Sequence, residues 1–188
     1  SSGCKVMPIN GEYIKNLLTD PKLFFSLMNL LASRLESINT KSASSKSRTF
    51  SPSSSLNAPG PDNKDFLAHI KELEPRQIKK EGTLCRQGET GKSAYFITKV
   101  KIGVFIKNQN GRDEKIAEVH PGEFVGEIAL IRNAPRTATL KAISAQAEVI
   151  EVERNFFMDR IITDRRVRNY FVVNLISRIR TMNKIGGK

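Results

Sequence analysis

The sequence predicts a mainly β domain with flanking helices: one helix, a compact antiparallel β-barrel, then two helices. Short strand-like segments recur between glycines and prolines through the middle of the chain. Apolar residues alternate in several of them, as at Ile102, Val104 and Ile106, which is the period of a half-buried strand. From Asn155 onward the apolar spacing becomes helical. Many short strands between turn residues are typical of a sandwich or a barrel.

Each element has its own signal. The leading helix is expected to start at a cap, Asp62 or Asn63. Its apolar positions are Phe66, Leu67, Ile70 and Leu73. Six strands are then predicted, at residues 77–80, 93–99, 102–107, 114–120, 138–143 and 147–152. The two final helices are indicated by the apolar sets Phe156, Phe157, Ile161, Ile162 and Phe171, Leu175, Ile176, Ile179.

Composition divides the chain into three parts. Residues 40–62 are rich in Ser and Pro and poor in large apolar side chains. Such a segment cannot bury enough surface to offset its ordering entropy, so a flexible linker is predicted. It separates residues 1–39 from residues 63–188, which hold all the elements of a complete domain.

An internal repeat relates the two flanking parts. Thr19-Asp20 matches Thr163-Asp164, and residues 33–39 match residues 177–183. Residues 6–9 align with the last predicted strand, and an aromatic-containing pair follows in both copies. Both parts read as a short strand followed by two helices. We therefore expect residues 1–39 to be the C-terminal strand–helix–helix tail of a preceding, truncated copy of the domain.

The positive charge is concentrated at one end. The net charge is +12, and residues 154–188 carry nine basic side chains against two acidic ones. Residues 63–153 are nearly balanced, with fifteen against thirteen. A basic tail can meet nucleic acid, an acidic partner or anionic lipid. Because no nucleic-acid motif accompanies it, a solvated helix face is the favoured interpretation and nucleic acid is not an expected partner.

Several function classes are disfavoured. The cysteines, Cys4 and Cys85, are too few for a disulfide framework, and with His69 and His120 they make no metal-ligand set. No paired carboxylates with a base and no nucleophile–His pairing are evident, so an enzyme is not expected. No membrane-length apolar run and no signal peptide are evident. A reducing, cytoplasmic setting is expected.

The chemistry is concentrated in residues 121–139. Gly126 allows a close backbone approach to a ligand, and Glu127 begins a short helical turn whose free N–H groups suit an anion. Pro135 fixes the chain before Arg136, whose permanently charged fork matches phosphate oxygens. The side chains at 137–139 are small. A phosphate-binding cation beside a carboxylate that can accept a hydroxyl describes a site for a phosphorylated sugar.

This run resembles the phosphate-binding cassette of cyclic-nucleotide-binding domains. That family's pattern is Phe-Gly-Glu, an apolar residue, Ala-Leu, a variable stretch, then Pro-Arg, a small residue, Ala and Thr. Residues 126–130 and 135–139 match it, and Val125 stands where the family often has Phe. Residues 82–89 and 95–97 also look like the early strands of the family. The resemblance covers about residues 63–183 and implies a jelly-roll barrel.

The resemblance also implies roles for the matched positions. Arg136 would hold the cyclic phosphate and Glu127 would bind the ribose 2′-hydroxyl. The rest of the implied pocket is Gly126, Ile128, Ala129, Thr137 and Ala138. No cofactor is implied, and the ligand is cAMP or cGMP. The alternative is structural: Glu127 and Arg136 could simply pair with each other across the turn.

The identity of the base is less constrained. A hydroxyl such as that of Thr137 often accompanies cGMP in this family, yet some cAMP-binding members carry one too. We prefer cAMP. A side chain of the last helix, Tyr170 or Phe171, is the hypothesis for the group that caps the base.

One position departs from the family pattern. A glycine commonly makes the turn after the strand at 93–99, whereas Lys99-Val100-Lys101 lies there. A positive φ is strained for a β-branched residue. We therefore expect a different turn at Val100, with Gly103 inside the next strand.

The function predicted is a regulatory module that binds a cyclic nucleotide and transmits binding through its C-terminal helices to an output partner or domain. Those helices are also a candidate contact between copies of the chain. Two alternatives stay open: a DNA-binding transcription regulator of the catabolite-activator type, and a kinase regulatory subunit. The first needs a helix-turn-helix unit, and the second has only the string at residues 48–52 in its favour.

Overall fold

The β-strands lie in two four-stranded antiparallel sheets. The structure, a computed structural model, describes residues 19–43 and 64–186. In chain order, the elements are α1 (Pro21–Ala43), α2 (Lys64–Glu72), β1 (Arg76–Ile78), β2 (Thr83–Cys85), β3 (Ser93–Lys99), β4 (Ile102–Lys107), β5 (Asp113–Val119), β6 (Phe124–Val125), α3 (Glu127–Ile131), β7 (Thr139–Ala142), β8 (Ala147–Glu153), α4 (Arg154–Thr163) and α5 (Arg165–Gly186).

The strand order is that of a jelly roll. One sheet runs β1-β8-β3-β6 and the other runs β2-β7-β4-β5, so the chain changes sheets at every connection except that between β4 and β5. In the first sheet, β3 pairs with β8, with Ala94 opposite Val152 and Phe96 opposite Ile150. The prediction of a mainly β, antiparallel fold with flanking helices is confirmed. The predicted barrel takes the form of two separately hydrogen-bonded sheets.

Strand β3 shows how the two cores are divided. Its side chains alternate, so Tyr95 and Ile97 enter the core between the sheets, while Ala94 and Phe96 point to the helices. Phe124 joins the helical core, where its ring lies 5.0 Å from that of Phe96. Because both faces are covered, β3 is buried along most of its length.

The pattern of apolar residues did not predict two of the shortest strands as separate elements. Neither β2 nor β6 is among the six predicted strands, and β1 begins and ends earlier than expected. Two or three residues do not contain enough alternation to reveal a strand. Their pairing partners, β7 for β2 and β3 for β6, lie far along the chain and define them.

The prediction for Val100 is wrong. Its φ is +62°, the left-handed conformation that the sequence analysis expected this β-branched residue to avoid. Val100 lies between β3 and β4, which belong to different sheets, so the chain must change sheets within two residues. Its side chain packs against the core between the sheets. The tertiary packing therefore overrides a local penalty of roughly 1–2 kcal/mol.

Helices α1 and α5 begin in the same way. The Asp20 carboxylate accepts a hydrogen bond from the Lys22 backbone N–H at 2.7 Å, and Asp164 accepts one from that of Arg166 at 2.8 Å. Both aspartates come from the repeated Thr-Asp pair and act as helix caps. Helix α1 ends at Ala43, inside the range 40–62 predicted as a linker. Residues 1–18 and 44–63, with the predicted caps at 62 and 63, lie outside the described residues.

Candidate functional site

The site is built around a left-handed glycine that joins β6 to α3. Gly126 has a φ of +82° and precedes Glu127, the first residue of α3. A Cβ atom on Gly126 would lie 2.7 Å from Nη1 of Arg136. Glycine is thus required here both by the backbone conformation and by the close approach of the arginine.

Arg136 is buried and held by main-chain acceptors. Its side chain donates hydrogen bonds to the carbonyl oxygens of Gly126, at 2.6 Å, and Ser93, at 2.5 Å. The guanidinium lies over the ring of Tyr95, 5.5 Å from its centroid, and the Tyr95 hydroxyl donates to the Leu84 carbonyl. Within the described residues, the buried Nε of Arg136 has no hydrogen-bond partner.

Glu127 is buried beside it, with only 4% of the residue exposed. Its Oε1 accepts a hydrogen bond from Nη1 of Arg178 at 2.6 Å, so its ion pair is with Arg178 of α5 and not with Arg136. The structural alternative in which Glu127 and Arg136 pair with each other is therefore not what the structure contains. Within the described residues, Oε2 of Glu127 has no partner, and buried carboxylate oxygens normally have one.

All seven predicted site residues line one cavity of about 110 Å³. They are Gly126, Glu127, Ile128, Ala129, Arg136, Thr137 and Ala138. The cavity also has an apolar side that the sequence analysis did not assign, formed in part by Leu35, Cys85, Val104, Ile116, Val125 and Leu140. A buried cation, a buried carboxylate and an apolar wall around one space suit a ligand with an anionic, a hydroxyl-bearing and an apolar part.

Residues 75–164 match the model of one known family, described as the cyclic nucleotide-binding domain. This chain contains a cyclic nucleotide-binding domain. The match runs from the residue before β1 to the end of α4 and includes the whole Gly126–Arg136 region. The resemblance drawn from the cassette is confirmed.

The chain is similar to two curated relatives and to one solved structure. A cAMP-dependent protein kinase regulatory subunit from Dictyostelium discoideum is 31% identical over 45% of this chain and 27% of its own length. The cAMP-activated global transcriptional regulator CRP from Salmonella typhimurium is 30% identical over 51% of this chain and 44% of its own length. The chain thus spans less than half the length of either relative.

The solved structure supports the fold. The Thermus thermophilus catabolite activator protein superposes with a TM-score of 0.55 and 22% identity, over 66% of this chain and 56% of that one. At this level of identity the similarity concerns the fold alone. The two relatives and this structure are regulators by name.

Arg178 is a charged site residue that the sequence analysis missed. Besides Glu127, its guanidinium donates to the Phe124 carbonyl at 2.6 Å, which ties α5 to β6. Burial disfavours its charge, but the carboxylates of Glu127 and Glu123 outweigh that effect and raise the pKa of Arg178. The repeated Ser-Arg pair at 177–178 was the available signal, although it does not show what the arginine contacts.

The predicted base-capping residues lie elsewhere. Tyr170 and Phe171 pack against Phe124 in the helical core, with ring centroids 6.1 Å and 5.4 Å away, and neither belongs to the cavity lining. Burial raises the pKa of Tyr170 to about 12. The amphipathic pattern did not reveal this location, because an aromatic residue on such a helix is equally suited to a core and to a ligand.

Two features are absent from residues 19–43 and 64–186. In that part of the chain, no three His, Cys, Asp or Glu side chains come together as a metal site. Among the helices described there, none combines the length and apolar character needed to cross a membrane.

Proposed function

We propose that this domain is a regulatory module that binds cAMP in preference to cGMP and passes the binding event to its C-terminal helices. The observation that carries the proposal is a pair of buried polar atoms at one cavity, Nε of Arg136 and Oε2 of Glu127, which have no hydrogen-bond partner among residues 19–43 and 64–186. A buried polar atom without a partner costs free energy. A ligand with a phosphate and a hydroxyl would satisfy both atoms.

In this proposal Arg136 binds the cyclic phosphate. The guanidinium is fixed by two carbonyls and by the Tyr95 ring, so little side-chain entropy is lost on binding. Glu127 accepts the 2′-hydroxyl hydrogen bond through Oε2. The first backbone N–H groups of α3 have no partner within the helix, and in this proposal they donate to the same phosphate.

The preference for cAMP rests on two supports. Both curated relatives described above carry cAMP in their names. The cavity wall beyond the cassette is largely apolar, which suits the packing of an adenine ring, and the Thr137 hydroxyl can accept a hydrogen bond from the amino group of guanine. Thr137→Ala separates the two nucleotides: we expect it to weaken cGMP binding and to leave cAMP binding nearly unchanged.

Transmission runs through the ion pair between Glu127 and Arg178. A nucleotide hydroxyl on Glu127 would share the carboxylate with Arg178 and so alter how α5 is held. The nucleotide shifts the helix only to the extent that it binds the two arrangements with different affinity. In this proposal the helices act on a partner or domain that regulates either transcription or a protein kinase, as in the names of the two relatives.

We further propose that residues 1–39 are the tail of a preceding copy of this domain. The matching Asp20 and Asp164 caps support it. The buried residues of α1 and α5 also support it, because Met28 and Leu35 of α1 align in the repeat with Val172 and Ile179 of α5.

Calorimetric titration of cAMP and cGMP into the wild-type chain and Arg136→Ala tests the binding. Loss of a charge-assisted contact should weaken binding roughly tenfold to a hundredfold. Arg112→Ala, at an exposed position in the β4–β5 turn, is the matched control and should bind like the wild type. A folded wild-type chain that binds neither nucleotide refutes the proposal.

Hydrogen exchange with and without nucleotide tests transmission to the C-terminal helices. Unchanged amide protection in α5 would contradict it.

A further inference from the structure

Helix α1 packs lengthwise on α5, with both helices running in the same direction. At their starts, Nη2 of Arg168 in α5 lies 3.4 Å from the Thr19 carbonyl, just before α1. Further towards the C-terminal ends of both helices, Leu35 of α1 and Arg178 of α5 line the same cavity. A helix from outside the matched domain therefore reaches the nucleotide pocket.

Helix α1 is also fixed to the cassette. Arg132, at the end of α3, donates from Nε to Oδ1 of Asn29 at 3.3 Å and forms an ion pair with Glu36. These two partners are seven residues apart, so they lie on one face of α1 about two turns from each other. Glu36 directly follows Leu35, and the contact therefore holds this part of α1 against the cassette.

Leu35 contributes an apolar side chain to the cavity wall. The residue is 7% exposed and belongs to the helical core. Arg136 and Glu127 account for the phosphate and the ribose of a bound nucleotide, which leaves the base for the apolar part of the cavity. That part includes Leu35 with Val104 and Ile116.

We infer that Leu35 of α1 contacts the base of the bound nucleotide, so that the N-terminal segment completes the pocket. This inference rests on the proposed function. A base bound in the apolar part of this cavity packs against its walls, and Leu35 of α1 supplies part of them. Docking of α1 and nucleotide binding then favour each other.

The test compares two leucines of the same helix by calorimetry with cAMP. Leu35→Ala should weaken binding about tenfold, because it removes most of an apolar contact. Leu30→Ala is the matched control: Leu30 is 69% exposed, and its variant should bind within about twofold of the wild type. Circular dichroism checks that both variants are folded.

The outcomes separate this inference from the proposed function. If the wild type binds cAMP and Arg136→Ala weakens it while Leu35→Ala does not, the site stands and the role of Leu35 is overturned. If Leu35→Ala binds more tightly, α1 competes with the nucleotide and the inference is again overturned. If the wild type does not bind at all, the proposed function itself fails.

A measurement on the wild-type chain avoids any folding defect in the variant. With methyl-labelled leucine and alanine, nuclear Overhauser effects should connect the Leu35 methyls to the base protons of bound cAMP. Effects from Ala129 or Ala138 to the nucleotide, without any from Leu35, would overturn the inference.

Discussion

Nη1 of Arg178 lies 2.6 Å from Oε1 of Glu127, and this ion pair joins the last helix to the carboxylate at the centre of the cassette. The two residues are 51 positions apart in sequence. One side of the carboxylate is thus occupied by the C-terminal helix, while the other side faces the cavity. Any ligand that binds Glu127 shares it with α5.

Removal of the Arg178 charge should destabilise the folded domain. Arg178→Met keeps the apolar stem but leaves the Glu127 carboxylate buried without a cation, which costs about 3 kcal/mol of unfolding free energy. Urea denaturation at neutral pH measures it. Arg166→Met in the same helix is the control, because the Arg166 side chain is 57% exposed; its change should stay within about 0.5 kcal/mol. Equal effects of the two substitutions would contradict a structural role for the pair.

Gly126→Ala should damage both stability and binding. Its φ of +82° costs an alanine roughly 1–2 kcal/mol, and the new Cβ would collide with Nη1 of Arg136. Gly122→Ala is a matched control, because Gly122 has a φ of +90° but open space around a Cβ. Both variants should lose stability, Gly126→Ala more than Gly122→Ala because of the collision, and only Gly126→Ala should weaken cAMP binding, by about tenfold or more. Similar affinities in the two variants would show that the collision does not displace Arg136.

Gly103→Ala should destabilise the domain without altering the site chemistry. A Cβ there would lie 2.6 Å from atoms of Ile143 and of Phe105, closer than real contacts allow. Overpacking of this kind costs about 1–3 kcal/mol. Thermal unfolding should show the loss, and the additional change Ile143→Ala should recover part of it. A variant as stable as the wild type would mean that β4 shifts freely within its sheet.

Stability should fall in acid, partly through Asp113. Hydrogen bonds from Lys107 and Lys141 hold the pKa of Asp113 below its ordinary value. Because the folded pKa is lowered, the unfolded chain takes up the proton first. The stabilisation is therefore present above about pH 4 and is lost as the pH falls further.

Asp113→Asn tests this pH dependence. The variant should show a shallower loss of unfolding free energy than the wild type between about pH 4 and pH 3. Glu118 and Glu148, whose pKa values are lowered by Lys115 and Lys99, keep part of the slope. Glu74→Gln, at an exposed position, should follow the wild-type curve. An Asp113→Asn curve that coincides with the wild type would exclude this contribution.

The sequence by itself determined the family, the longer strands and the cassette. These depend on local patterns: short apolar segments bounded by turn residues at 93–99 and 102–107, and a contiguous run from Gly126 to Thr139 whose backbone and side chains act together. Residues that act together within one short segment can be recognised from the sequence of that segment alone. All seven predicted site residues accordingly line one cavity.

Only the tertiary structure decided which distant residues complete that cavity. Leu35 and Arg178 come from helices at opposite ends of the chain, and an amphipathic pattern shows that a face is buried but not against what. For the same reason, the sequence did not show that Tyr170 packs in the core and does not line the cavity. At Val100, packing between two sheets imposed a positive φ that local preference opposes. Contacts between segments far apart in sequence settle these positions, because their free energies exceed the local preferences that a sequence displays.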